Sequence, residues 1–263
     1  MRLPTYFINH GAGPWPFMKD QLGGSHDALE ASLRDIPRQL PQRPRAVLMV
    51  SAHWEEAGFA VMNHPKPPML YDYGGFPEET YRVTYSAPGA PDVAREVQSA
   101  LREAGIGATL DDTRGFDHGC FVPMSVMYPQ ADMPVLQLSV QAGYDPAAHW
   151  AAGRALAPLR EQGVLIVASG LSYHNMRPRP GSVAPDSLAF DNWLNDAVSN
   201  PDTRADQLLH WSQAPAARAS HPREDHLIPL MVAAAAAGHE PATRFYHETG
   251  FLGAMVVSSF RFG

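Results

Sequence analysis

Three short apolar runs constrain this chain more than any other feature. Leu3–Ile8 (LPTYFI), Val47–Val50 (VLMV) and Val164–Gly170 (VLIVASG) each stop at a polar turn that carries a histidine. The first ends in Asn9-His10-Gly11, the second in Ser51-Ala52-His53-Trp54-Glu55, and the third in Leu171-Ser172-Tyr173-His174-Asn175. Runs that are continuously apolar, rather than alternating, belong to strands buried on both faces, as in a parallel sheet covered by helices. Open α/β sheets place their chemistry in the crevice at the carboxyl ends of such strands. Three strand ends that each deliver a histidine therefore point to one shared site.

The rest of the chain alternates between helical and extended patterns. Helices are predicted over Ser25–Ile36, Pro91–Ala104, Val122–Met127, Pro146–Arg160, Ser187–Val198 and Arg204–Trp211. A further helix is expected to open near His221-Pro222 and to run through LIPLMVAAAAAG, with Pro222 in or just before its first turn. The second run is read as the strand Ala46–Ser51, and additional strands at Gly58–Asn63, Tyr81–Tyr85, Ile106–Leu110, Pro134–Val140, Thr243–Glu248 and Ala254–Phe260. This alternation predicts an α/β fold, a three-layer α/β/α sandwich around a mostly parallel or mixed central sheet. No repeat or linker divides it, so residues 1–263 are expected to form a single domain, or one domain with a modest insertion.

Composition excludes several function classes. Hydrophobic residues make up 45% of the chain and the net charge is −7, so a core is available and a basic nucleic-acid footprint is not. No apolar run approaches the roughly 20 residues that span a bilayer. The N-terminus meets a polar His-Gly too soon for a signal peptide, so a cytoplasmic location is expected. One cysteine, Cys120, leaves no internal disulfide and no thiolate zinc site; leading into an apolar helix, it reads as a small buried hydrophobe. Dinucleotide, P-loop and nucleophile-elbow signatures are missing from the strand ends where they would belong. Nothing in the sequence addresses oligomeric state.

The chain holds 12 histidines. His10, His53, His118, His174 and His226 follow a strand or precede a helix, positions that converge on one edge of a sheet. His26, His64, His149, His210, His221, His239 and His247 lack that setting and read as surface or packing residues. Neutral imidazole binds Zn, Fe, Cu or Ni, and without thiolates the natural set is histidine plus at most one carboxylate. Iron(II) oxygenases and catalytic zinc sites both use such sets and leave positions open, and spacing does not separate them. The long loop 64–80 offers Tyr71, Tyr73 and Phe76 as walls for a flat ring. Arg177 or Arg179 can pair with a substrate carboxylate. Glu55 either orients His53 from behind or forms a surface salt bridge.

Six stretches together resemble the class III extradiol ring-cleaving dioxygenases, the LigB-like family, in the branch similar to 4,5-DOPA extradiol dioxygenase. They are NHG at 9–11, SAHWE at 51–55, YDYGGFP at 71–77, FDHGCFVPMSVMYP at 116–129, SGLSYHN at 169–175 and HPREDHLIPLMVAAAAAG at 221–238. The resemblance implies a non-haem Fe(II) enzyme that opens a small aromatic diol with O₂, with zinc as a filler of the same site after purification. It implies that His10 and His53 hold the metal with a third ligand from 224–226, here His226. His174 corresponds to the acid–base histidine and to an additional metal contact, and His118 to a second catalytic pocket histidine. Two other readings stay open: a zinc-dependent hydrolase or amidase on the same scaffold, and a non-catalytic binding member of the family.

Overall fold

A computed structural model describes residues 1–176 and 183–263. Its strands are β1 (Thr5–Asn9), β2 (Ala46–Glu56), β3 (Phe59–Met62), β4 (Ala108–Asp111), β5 (Val135–Gln141), β6 (Val164–Gly170), β7 (Ala242–Phe251) and β8 (Met255–Phe262). Its α-helices are α1 (Lys19–Leu22), α2 (Asp27–Asp35), α3 (Pro91–Glu103), α4 (His118–Met127), α5 (Pro146–Leu156), α6 (Val183–Ser199), α7 (Arg204–Leu209), α8 (Ala217–Ser220) and α9 (Pro229–Ala237). One mixed sheet runs in the order β4-β3-β5-β2-β6-β1-β8-β7. Its centre, β5-β2-β6-β1, is parallel, whereas β8 lies antiparallel to β1 and forms a hairpin with β7.

The three apolar runs occupy the centre of this sheet. Every residue of β1 and β6 is buried, because helices cover both faces. On one face α9 packs on β1 and β6 and against α5, which in turn meets α3. The alanine run makes this close: Gly153 of α5 sits where a Cβ would strike the Val232 carbonyl of α9. On the other face α2 and α4 pack together, with α4 against β2. The architecture is the expected three-layer α/β/α sandwich.

Several local expectations are corrected. Tyr81–Tyr85 is not a strand; Glu78–Arg82 forms a 3-10 helix, with the Tyr73 hydroxyl donating to the Thr80 carbonyl at 2.7 Å. Helix α4 starts at His118 rather than Val122, because Asp117 caps it by accepting from the Cys120 N–H. The last long helix starts at Pro229, not near Pro222. Proline at a first helical turn loses nothing, and here Pro229 takes that place, leaving 221–228 as an irregular segment between α8 and α9. Strand β2 continues past its expected end, through a register shift between Val50 and Glu55.

Candidate active site

The parallel strands β1, β2 and β6 end at one edge, and their ends bring the histidines together. His10 follows β1, with its N–H donating to the Gly170 carbonyl of β6 at 3.1 Å. His53 lies inside the register shift of β2, and its backbone is held from two sides by groups that both bond Asp117. Its N–H donates to Ser51 Oγ (3.2 Å), Ser51 Oγ donates to buried Asp117 (2.7 Å), and Arg114 donates to both the His53 carbonyl (3.1 Å) and Asp117 (2.6 Å). His118 opens α4 directly alongside, where Gly119 leaves room: a Cβ there would meet Ser51 Oγ and His53 Cδ2.

His226 arrives from the segment before α9. The Leu171 N–H donates to the His226 carbonyl at 3.1 Å, and a Cβ at Gly170 would overlap that same carbonyl. The segment therefore docks on the end of β6 only because residue 170 is glycine. His174 is fixed through its N–H, which donates to the Ser220 carbonyl at 3.0 Å, and its ring stacks on His226 with centroids 3.5 Å apart.

The result is a cluster of five imidazoles. His53 Nε2 lies 3.3 Å from His10 Nε2 and 3.2 Å from His226 Nε2. The side-chain nitrogens of His10, His53 and His118 fall within 4.8 Å of one another, and so do the ligand atoms of His174, Asp225 and His226. Burial, then the neighbouring imidazoles, pushes His10 and His53 well below the ordinary histidine range. Burial likewise brings His226 to about 4 against the raising effect of Asp225. These rings are neutral at physiological pH, so each has one N–H and one lone pair.

Two aspartates bear on where those protons sit. Asp72 Oδ2 lies 3.2 Å from His53 Nδ1, while Asp72 Oδ1 accepts from both the Nδ1–H and the backbone N–H of His118, each at 2.9 Å. Asp225 Oδ1 lies 3.2 Å from His226 Nδ1, at an angle poor for a hydrogen bond, and 3.7 Å from His174 Nδ1. Burial alone would raise both carboxyls, yet the histidines outweigh it and hold both below their usual range. With Nδ1 protonated toward a carboxylate, the Nε2 atoms of His53 and His226 present lone pairs to each other at 3.2 Å. That contact is repulsive unless a cation stands between them. Two nitrogens each about 2.1 Å from one metal ion lie roughly 3–3.4 Å apart for angles between 90° and tetrahedral. The residues present fit a metal ion.

A cavity of about 250 Å³ opens over this cluster. Tyr73 and Phe76 line it. Tyr71 stands behind, with its hydroxyl donating to the Val83 carbonyl at 2.7 Å and its ring edge-on to Tyr73. Arg177 and Arg179 lie outside the described residues. Glu55 does not orient His53; it bonds the Tyr144 hydroxyl and Arg223, and Asp72 stands behind His53 instead. Leu171, Tyr173, Met176, Phe251, Leu252 and Met255 also line the cavity. The sequence reading did not single out these six or Asp72, although Asp72 sits between two tyrosines it did single out. Of the seven histidines set aside, His26, His149 and His221 are buried. Cys120 is buried, and burial pushes its thiol up, which suits a packing role. A larger cavity, of about 470 Å³, lies at the far end of α9 between Arg2, Arg154 and His239, away from the cluster.

Comparison with known proteins agrees with this geometry. Residues 4–257 match the family model described as the catalytic LigB subunit of aromatic ring-opening dioxygenase. The 4,5-DOPA dioxygenase extradiol of Beta vulgaris is 38% identical over 263 residues, covering 98% of this chain and 96% of the relative. The Escherichia coli K12 protein of the same name is 34% identical, covering 92% of this chain and 88% of its own. A dioxygenase of Hapsidospora irregularis, tasH, is 37% identical over 92% of this chain and 81% of the relative. Among solved structures, an uncharacterized protein from E. coli K12, JW3007, superposes over 100% of both chains with a TM-score of 0.80 at 31% identity.

Proposed function

Because the chain belongs to the LigB family of aromatic ring-opening dioxygenases, we propose that it is an extradiol enzyme. It opens a catechol-type ring with O₂ at a non-haem Fe(II) held by His10, His53 and His226. The observation that carries this reading is the approach of His10 Nε2 and His226 Nε2 to His53 Nε2, at 3.3 and 3.2 Å, with the Nδ1 atoms of His53 and His226 beside Asp72 and Asp225. Metal-bound histidines characteristically turn their second ring nitrogen toward a carboxylate, and here both carboxylates stand 3.2 Å from the Nδ1 atoms. Held by His10, His53 and His226, iron would supply Lewis-acid and redox chemistry toward a catechol and O₂. The relatives named for 4,5-DOPA support a catechol as the substrate class, and on this reading residues 1–263 act as one catalytic unit.

The protein's own groups supply positioning and proton movement. His118 gives its Nδ1–H to Asp72, so its Nε2 lone pair is free to accept a hydrogen bond from a substrate hydroxyl. His174 is partly exposed, with 23% of its side chain accessible, and lines the same cavity. It serves as the base that removes the second phenolic proton and later returns it. Stacking on His226 sets it beside the metal ligands, where it can also reach the metal. Tyr73 and Phe76 hold the flat ring, and Phe76 does so against Gly13, where any Cβ would strike its ring.

The test is direct. Anaerobically iron-loaded protein, given a catechol panel and then O₂, is expected to form a yellow ring-fission product, and zinc-loaded protein none. A zinc form that turns over amides or esters, with no oxygen-dependent product from any catechol, would replace this reading with a hydrolase.

A further inference from the structure

We propose that the substrate is an uncharged catechol bearing an apolar substituent, which seats against a wall of Met176, Phe251, Leu252 and Met255. This deepens the ring-opening reading and rests on it. The wall comes from the β7–β8 turn and from the segment after β6, and all four residues line the cavity over the histidines.

Two observations mark the outer part of the wall, Met176 and Leu252, as a contact surface rather than packing, whereas Phe251 is buried. Met176 is 64% exposed and Leu252 40% exposed, so large apolar groups face solvent at the cavity mouth. Grouped exposed hydrophobics of this kind mark a binding surface. Leu252 also holds a φ of 48°, between Gly250 and Gly253 at 95° each. A turn of that shape is easiest for glycine or asparagine. A leucine there keeps an unfavourable backbone conformation in order to present its side chain.

The polar groups fit the same occupant. Among the described lining residues there is no lysine or arginine, and the one carboxylate, Asp72, already faces His53 and His118. The Tyr73 hydroxyl is committed to Thr80. The ammonium and carboxylate of an amino-acid side chain would enter without a charged partner among these groups, whereas an alkyl or aryl chain would cover Leu252 and Met176. The cavity, about 250 Å³, lies below the roughly 300–1,000 Å³ of sites for drug-sized ligands. It suits one ring with a short tail.

The experiment compares 4-butylcatechol, catechol and DOPA as substrates of the iron-loaded full chain, and as ligands of the zinc-loaded chain by calorimetry. Expected is a kcat/KM for 4-butylcatechol at least tenfold above that for DOPA, with the same order in the binding constants. Leu252→Ser and Met255→Ser should each cut the butylcatechol-to-catechol ratio about tenfold, the scale of a lost apolar contact in a pocket. DOPA turned over or bound as well as butylcatechol overturns the proposal. If that affinity for DOPA disappears in Arg177→Ala or Arg179→Ala, a charged subsite is responsible. Selective binding of butylcatechol without turnover of any catechol keeps the apolar wall as the recognition surface but removes the ring-opening reading, and the substrate assignment with it; no binding of either removes both.

Discussion

At the scale of single residues, the site depends on where protons sit. Asp72 touches His53, a proposed metal ligand, through one oxygen and His118 through the other, so in the proposed enzyme it would couple metal binding to substrate positioning. Asp72→Asn keeps the shape and removes the charge. Metal affinity, measured by chelator competition, is expected to fall about 10–100-fold, the usual effect of losing such a partner. An unchanged affinity would show that Asp72 only packs. His174 should behave differently. Its replacement by Gln is expected to lower kcat by about 10²–10⁴, the range of lost general acid–base catalysis, while metal content stays near that of the parent. If metal is lost with activity, His174 is chiefly a ligand.

At the scale of elements, two glycines decide how closely the histidine-bearing segments approach. Gly170 admits the 221–228 segment onto the end of β6, and Gly119 admits α4 onto β2. Gly170→Ala would drive a methyl into the His226 carbonyl. A stability loss of about 1–3 kcal/mol by urea denaturation is expected, the cost of overpacking a tight site, together with weaker metal binding. Gly58→Ala is the control, since a Cβ there meets nothing within 4 Å. If both variants lose equally, steric docking of His226 is not the cause. Helix positions follow the same local logic. Asp117 starts α4 by capping, and Pro229 starts α9, which leaves His226 in a loop able to turn inward rather than on a rigid helix.

At the scale of the whole molecule, buried neutral histidines link stability to pH. Burial brings His26 to about 4 and His221 to about 3, both below 6.5. Below 6.5 the unfolded chain takes up protons that the folded chain refuses. Stability is therefore complete above that pH and declines as pH falls toward 4 and then 3. Unfolding free energies of metal-free protein should drop between pH 7 and 5, and His26→Phe should flatten part of that slope. An identical slope in the variant would assign the loss elsewhere. Metal loading should act in the opposite direction, raising the unfolding free energy by about 2.7 kcal/mol when free metal is at 100 times Kd. No helix among the described residues is long and apolar enough to cross a membrane.

Much of this molecule is legible in one dimension. Buried parallel strands need continuous apolar runs, and VLMV and VLIVASG say so without a structure; their ends locate the crevice, and with it His10, His53 and His174. The layered fold follows from the alternation of strand and helix patterns, which is a local property of the chain. What the sequence by itself did not determine is everything that depends on distance between remote segments. Asp72 and Glu55 are both carboxylates near a site motif, and only folding reveals that Asp72 reaches the His53 ring while Glu55 turns to Arg223. The apolar wall of Phe251, Leu252 and Met255 comes from a hairpin that sequence marks merely as closing strands. It enters the site because β8 pairs with β1, a contact between the two ends of the chain. Side-chain periodicity reports which face is buried; which remote group that face meets is set by the packing of the whole sheet.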